Sequence, residues 1–173
     1  MANTTFSGPV RSEDGFDVVS KSSTTGAITT EFSLDGSGLQ VTPVTFSDAD
    51  TTLTATANSG RINVVPAITG NRTLTLPSPT AGIWFRFIYG GAAEEAENLI
   101  FDTGSDTNYY IGGIVHLDSN ADNVSVYADG NSNSTLTLTD FGIFEINILA
   151  KDTTNWIISG YQEGADVPAF ADQ

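Results

Sequence analysis

Apolar and polar residues alternate in short runs along most of the chain, which is the pattern of half-buried β-strands. Residues 51–57 (TTLTATA) alternate Leu and Ala with Thr, and residues 72–77 (RTLTLP) alternate Leu with Thr until Pro77 ends the run. Residues 82–90 (GIWFRFIYG) are apolar at almost every position, as expected of a central strand that is covered on both faces. Each of these runs therefore predicts a strand.

The second half of the chain continues this pattern, with turn-forming residues between the runs. The further strand candidates are residues 98–101, 109–117, 124–128, 134–139, 142–150 and 155–161. About ten strands with turns every 8–12 residues indicate a sandwich. The sequence thus predicts an all-β fold, with an antiparallel sandwich or jelly-roll-like body.

The first thirty residues contain few aliphatic side chains and many Ser, Thr and Gly residues. A segment of this composition cannot form its own core, so it is either an extended arm that orders against a partner or a disordered leader. We expect an N-terminal arm over residues 1–30 and a single-domain body over residues 31–173, with a short subdomain break near 60–72. The residues of the arm that are candidates for contact with a partner are Phe6, Pro9, Val10, Arg11, Phe16 and Lys21.

Charge is unevenly distributed along the chain, whose formal net charge is −15. Residues 1–86 hold five basic and seven acidic residues, whereas residues 87–173 hold one basic and fourteen acidic residues. An acidic surface repels phosphate groups, which argues against nucleic acid as a partner. The absence of Cys excludes disulfides and thiol chemistry. We expect a protein made in a cytoplasm, because the sequence contains neither an apolar signal segment nor a run long enough to span a membrane.

An Asp-Thr-Gly-Ser sequence at Asp102–Ser105 resembles the catalytic motif of an aspartic protease. That chemistry needs two carboxylates that share one proton, and the chain has a single copy of the motif. A dimeric enzyme would also need a glycine-rich flap and a supporting glycine element at suitable distances, which are missing. Asp-Thr-Gly between two strands is also a favourable turn sequence. We therefore predict a turn, and no catalytic residue.

Metal binding is the next candidate chemistry. Residues 118–129 place Asp118, Asn120, Asp122 and Asp129 at spacings that imitate a calcium-binding loop. The loop has Asn123 in place of the usual Gly, and a strand begins within it. The prediction is no metal site and no cofactor, although calcium between these acidic loops stays open. The single histidine, His116, alternates with apolar residues and is expected to be a partly buried strand residue.

Aromatic residues within the apolar runs have two interpretations, core packing or a carbohydrate-binding cleft. Their position inside strands favours the core. The residues concerned are Trp84, Phe85, Phe87, Tyr89, Phe141, Phe144 and Trp156.

Three stretches resemble parts of small structural proteins of tailed bacteriophages. Residues 4–16 (TTFSGPVRSEDGF) resemble their N-terminal arms, and residues 74–88 (LTLPSPTAGIWFRFI) resemble a β-module of virion proteins. Residues 141–161 (FGIFEINILAKDTTNWIISGY) resemble the closing hairpin of such modules.

This resemblance implies a capsid decoration (cement) protein, without enzymatic activity, on the outside of a virion. Proteins of that family are commonly homotrimers that bind the major capsid protein through an N-terminal arm. The resemblance therefore implies that this chain is made in the host cytoplasm and acts on the capsid exterior, without nucleic acid or membrane partners. The alternative is a tail-fibre or baseplate β-module that binds a host surface glycan.

Overall fold

The structure is a computed structural model that describes residues 15–35, 38–118 and 122–173. The chain divides into two compact units, Met1–Thr42 and Pro43–Gln173. This division lies later than the expected boundary at residue 30, because residues 31–35 and 38–41 pair with strands on their N-terminal side.

The N-terminal unit contains a three-stranded antiparallel sheet in the order β1-β2-β3. Its strands are β1 (Phe16–Lys21), β2 (Ile28–Asp35) and β3 (Gly38–Val41). A register shift between Val18 and Val19 interrupts the pairing of β1 with β2. Residues 16–30, which were expected to form an extended arm, thus contribute a strand, a turn and the start of a second strand.

The C-terminal unit, here called the body, consists of two sheets and one short helix in the part of the chain that the structure describes. The seven-stranded sheet has the order β11-β10-β14-β13-β8-β6-β4, and the five-stranded sheet has the order β15-β12-β9-β7-β5. The elements are β4 (Val44–Thr45), β5 (Thr51–Thr52), α1 (Ala55–Asn58), β6 (Ile62–Val65), β7 (Arg72–Thr75), β8 (Trp84–Tyr89), β9 (Leu99–Asp102), β10 (Tyr109–Asp118), β11 (Val124–Tyr127), β12 (Thr135–Leu138), β13 (Phe141–Ala150), β14 (Asn155–Gly164) and β15 (Ala169–Ala171).

Strands β4 to β9 alternate between the two sheets, and each of the first four runs parallel to the strand two places further along the chain. The chain therefore winds back and forth between the sheets in successive coils. The corner between α1 and β6 is held by two buried asparagines. The Asn63 side-chain amide donates to the Asn58 carbonyl at 3.0 Å, and the Asn58 amide donates to Asn63 Oδ1 at 3.2 Å.

One core of buried apolar residues fills the space between the two sheets. Phe101 of the five-stranded sheet packs edge-on against Phe87 of the seven-stranded sheet, with ring centroids 4.9 Å apart. Phe101 also contacts Phe144, and Phe170 of β15 packs against Tyr110. The body is therefore a two-layer sandwich, and its C-terminal residues belong to it.

The all-β prediction is confirmed by this architecture. The sheets are mixed, because the alternating coils of β4 to β9 produce parallel pairs and the later hairpins produce antiparallel ones. The region 60–72, where a short break was expected, contains β6 and the beginning of β7, which belong to different sheets.

Candidate functional site

Two of the six candidate contact residues fall within the described part of the chain. Phe16 begins β1 and Lys21 ends it. The other four, Phe6, Pro9, Val10 and Arg11, lie outside the described residues.

The register of β1 with β2 places Phe16 and Lys21 on opposite faces of the N-terminal sheet. Phe16 pairs with Leu34 and Lys21 pairs with Ile28. Val18 pairs with Phe32 and Val19 with Thr30, so the extra residue of the bulge lies on β2 and β1 keeps its regular alternation. Phe16 and Lys21 are an odd number of residues apart on β1, and their side chains therefore point to opposite faces.

The face that carries Phe16 is apolar and exposed. We call it the N-terminal face and define it by the described residues Phe16, Val18 and Leu34. Every residue of β1 is exposed, and these three side chains expose between 45% and 48% of their surface. A three-stranded sheet needs a packed apolar face for stability, so a surface of this kind is suited to docking against a protein partner. Lys21 lies on the opposite face of the sheet.

Asp102 of the Asp-Thr-Gly motif is engaged in local and long-range hydrogen bonds. Its Oδ1 accepts from the Gly104 N–H at 2.6 Å, and Gly104 has a φ of 79°. Both carboxylate oxygens also accept from the Gln173 side-chain amide at 2.8 Å. The buried Thr103 hydroxyl lies 2.9 Å from the Ser105 carbonyl and 3.0 Å from the Asn108 carbonyl. The motif forms a turn that also anchors the C-terminal residue.

The acidic loop that imitates a calcium site uses Asp129 to order its own backbone. The Asp129 carboxylate accepts from the N–H groups of Asn131, Ser132 and Asn133 and from the Ser132 hydroxyl. These hydrogen bonds hold the pKa of Asp129 well below its usual range, and the Ser132 hydroxyl has the largest effect on it. Strand β11 begins at Val124, inside the supposed loop, and residues 119–121 lie outside the described part. The described residues contain no cluster of three acidic or histidine side chains placed to hold a metal ion.

His116 lies on the core side of β10 and is fully buried. Its Nε2 is 2.9 Å from the Gly164 carbonyl oxygen. In the tautomer with the proton on Nε2, the ring donates a hydrogen bond to that oxygen. The prediction of a partly buried strand residue therefore understated its burial. A ring enclosed in this way has no surface on which to meet a substrate.

One cluster of carboxylates has no counterpart in the sequence analysis. Asp140, Asp166, Glu94 and Glu97 come together at one end of the body. Burial raises the pKa of Asp140, and the hydrogen bond and charge of Asp166 and the charges of Glu94 and Glu97 raise it further. Its members come from three separate loops, so no spacing along the chain predicts the cluster.

The aromatic residues divide between the core and the surface. Phe85, Phe87, Phe141, Phe144 and Trp156 are buried, as expected for core packing. Trp84 is 43% exposed and Tyr127 is 70% exposed. These two residues are therefore accessible to a ligand or to a partner protein.

Comparison with known proteins assigns no family to this chain. No model of a known protein family matches it, and no curated protein matches it either. Among the described residues, no helix has the length and apolar character needed to cross a membrane.

Proposed function

We propose that this chain is a non-enzymatic structural protein of a virion, which decorates and stabilises the outside of a tailed-phage capsid. Its partners in this proposal are the major capsid protein and further copies of itself, as a homotrimer. The N-terminal unit attaches to the capsid, and the acidic body projects from it.

The observation that carries this proposal is the N-terminal face. The side chains that form it are exposed, whereas the body has a complete core of its own. A decoration protein of this kind needs one unit with an exposed surface for attachment and a second unit that is stable without a partner. The resemblance of residues 4–16, 74–88 and 141–161 to parts of phage virion proteins supplies the identity of the partner.

Attachment follows from burial of the N-terminal face against the capsid. Each large apolar side chain that becomes fully buried contributes about 1.5–3 kcal/mol, less the cost of ordering it. Three such faces in one trimer bind together, so modest affinity at each contact gives tight attachment. The acidic body repels other virions and keeps decorated particles apart.

The test is co-sedimentation of the full chain with undecorated capsids, assembled from the major capsid protein of the same phage genome. We compare Val18→Asp, on the N-terminal face, with Val167→Asp in the body as a matched control. The two valines are exposed to 45% and 49%. We expect Val18→Asp to weaken binding by at least about tenfold, since it brings an unpaired charge into an apolar contact, and Val167→Asp to bind as the wild type does. Equal binding by all three proteins would contradict the assignment.

The second candidate is a tail-fibre or baseplate module that binds a host glycan. The exposure of Trp84 and Tyr127 favours it, because sugars stack on exposed aromatic rings. Glycan-array binding that Trp84→Ala abolishes, without binding to capsids, would establish this function in place of decoration.

A further inference from the structure

The seven-stranded sheet has one face against the core and a second face directed away from it. We call the second one the outer face and define it by strands β8, β13, β14 and β10. The strand register aligns Trp84 with Leu149, Leu149 with Ile157, and Ile157 with Ile111. These four residues form an apolar row across four neighbouring strands. Trp84, Leu149 and Ile157 each remain about two-fifths exposed.

Further apolar side chains lie towards the other end of the outer face and on the adjacent strand β11, beyond a row that aligns Arg86 with Asn147 and Asn147 with Ser159. Val115, aligned with Tyr161, and Leu117, aligned with Glu163, lie on β10. The Tyr127 ring lies over Gly113, where an added Cβ would be 2.8 Å from its Cδ1 atom. The large residues of the face that are most exposed are Trp84, Val115, Leu117, Tyr127, Ile143, Leu149 and Ile157.

These side chains supply much of the area that a protein interface needs. From their exposed fractions, together they leave roughly 700 Å² open to water. One side of a stable protein interface is about 800 Å². The outer face therefore has the size and composition of an interface.

The outer face also differs from the rest of the chain in its charge. Arg86 donates to Glu145 at 3.0 Å across strands β8 and β13, and the two charges neutralise each other. Glu163, at the end of β14, is the remaining acidic residue at the outward positions of the four strands. A chain with a net charge of −15 thus has one broad face that is almost neutral.

We propose that copies of this chain associate through the outer face, with the outer face of each copy packed against the same face of its neighbours around the symmetry axis. The occupant of the face is a second copy of this chain. Strongly acidic copies repel each other wherever their charged surfaces meet, and like charges brought together cost several kcal/mol. On the outer face that repulsion is small.

This geometry suits a closed symmetric assembly. Every copy presents the same flat sheet face, and a closed ring about a two-fold or three-fold axis buries it in all copies at once. Trp84 would contribute strongly to such a contact, since exposed Trp residues that become buried contribute disproportionately to protein interfaces. The inference rests on the proposed function only in that both require a homo-oligomer.

The test measures the mass of the full chain by sedimentation equilibrium over a range of concentrations. The single chain is 18.2 kDa, and we expect the wild type to reach a multiple of that mass. Leu149→Glu places a negative charge in the middle of the apolar row of the outer face, and we expect it to raise the dissociation constant at least about tenfold. The matched control is Val167→Glu, which makes the same change at an exposed apolar residue in the loop before β15 and should associate like the wild type.

Trp fluorescence gives an independent measurement on the same samples. The chain has two Trp residues, of which Trp156 is buried in the core and Trp84 is partly exposed. Association should therefore protect Trp84 from iodide quenching in the wild type and in Val167→Glu, but not in Leu149→Glu. Circular dichroism of the variants establishes that each has retained the β-fold.

Three results would overturn the inference. They are a wild type that stays at 18.2 kDa at every concentration, an assembly that Leu149→Glu leaves intact, and quenching of Trp84 that does not change on association. Capsid binding is measured separately through Val18→Asp. A monomeric chain that still binds capsids would remove this interface and leave the attachment role in place.

Discussion

Gly160 lies at the centre of the seven-stranded sheet, and its replacement by Ala should destabilise the body strongly. It pairs with Ile114 of β10 on one side and Ile146 of β13 on the other, with a φ of 148°. A Cβ at this position would be 2.0 Å from the Glu145 carbonyl oxygen and 3.0 Å from the Ile146 Cα. Both contacts are with backbone atoms of the neighbouring strand, which cannot turn aside as a side chain would.

Two effects add to give the expected loss of stability. A positive φ costs a residue with a side chain about 1–2 kcal/mol, and overpacking in a close-packed interior costs about 1–3 kcal/mol. Gly160→Ala should therefore reduce the free energy of unfolding by about 2–5 kcal/mol. That is a large part of the 5–15 kcal/mol typical of a folded protein. Gly82→Ala is the matched control, because Gly82 has a φ of 91° but nothing within 4 Å of an added Cβ.

The assay is urea unfolding followed by fluorescence of Trp156, which is buried in the body. We expect Gly82→Ala to lose only the conformational part, about 1–2 kcal/mol, and Gly160→Ala to lose at least about 1 kcal/mol more. Equal losses in the two variants would refute the argument that contact with the Glu145 carbonyl makes glycine necessary in β14.

Three further predictions concern other parts of the body. Asp140→Asn should raise the urea midpoint of unfolding at neutral pH. The raised pKa of Asp140 means that its protonated form favours folding, and this stabilisation is lost as the pH rises and the carboxyl ionises. The gain of the variant over the wild type should therefore shrink as the pH falls towards 3.8, the ordinary aspartate value. Asn also tolerates the φ of 41° at this position. Phe101→Ala should cost about 3–5 kcal/mol in urea unfolding, because it leaves a cavity between the sheets. Asp102→Ala should release Gln173, measurable as faster carboxypeptidase digestion of the C-terminus, with Asp106→Ala as the control.

The strands could be predicted from the sequence because burial on one face leaves a two-residue period in the chain. Residues 73–76 and 135–138 alternate Thr and Leu, and in the structure the Leu residues are the buried ones. The pairing of the strands left no such pattern. β6 lies beside β8 and β7 lies beside β9, although each is followed in sequence by a strand of the other sheet. Which sheet a strand joins depends on packing between strands distant in sequence.

The candidate contact surface could be predicted only in part, for a related reason. The sequence identified Phe16 and Lys21 as candidates from their residue types alone. Their positions became visible only from the strand register, which places Phe16 on the N-terminal face and Lys21 on the opposite one. The outer face could not be predicted at all, because the apolar composition of residues 82–90 indicated a strand covered on both sides. Trp84 is in fact exposed, and its row of apolar neighbours becomes visible only when the strands are placed side by side.

The Asp-Thr-Gly motif illustrates how the surroundings of a residue decide its chemistry. An aspartate acts as a catalyst when a second carboxylate shares its proton, and that condition is set by the fold and not by the four residues of the motif. In this chain Asp102 accepts hydrogen bonds from the Gly104 N–H and from the amide of Gln173, so its carboxylate binds Gln173.

The position of charged residues matters in the same way for the acidic composition. A net charge of −15 would oppose any close contact between copies if it were spread evenly, but the outer face and the N-terminal face carry few charged side chains. Contact through these two surfaces therefore meets less repulsion than contact through the acidic loops, and each of them can serve a different partner.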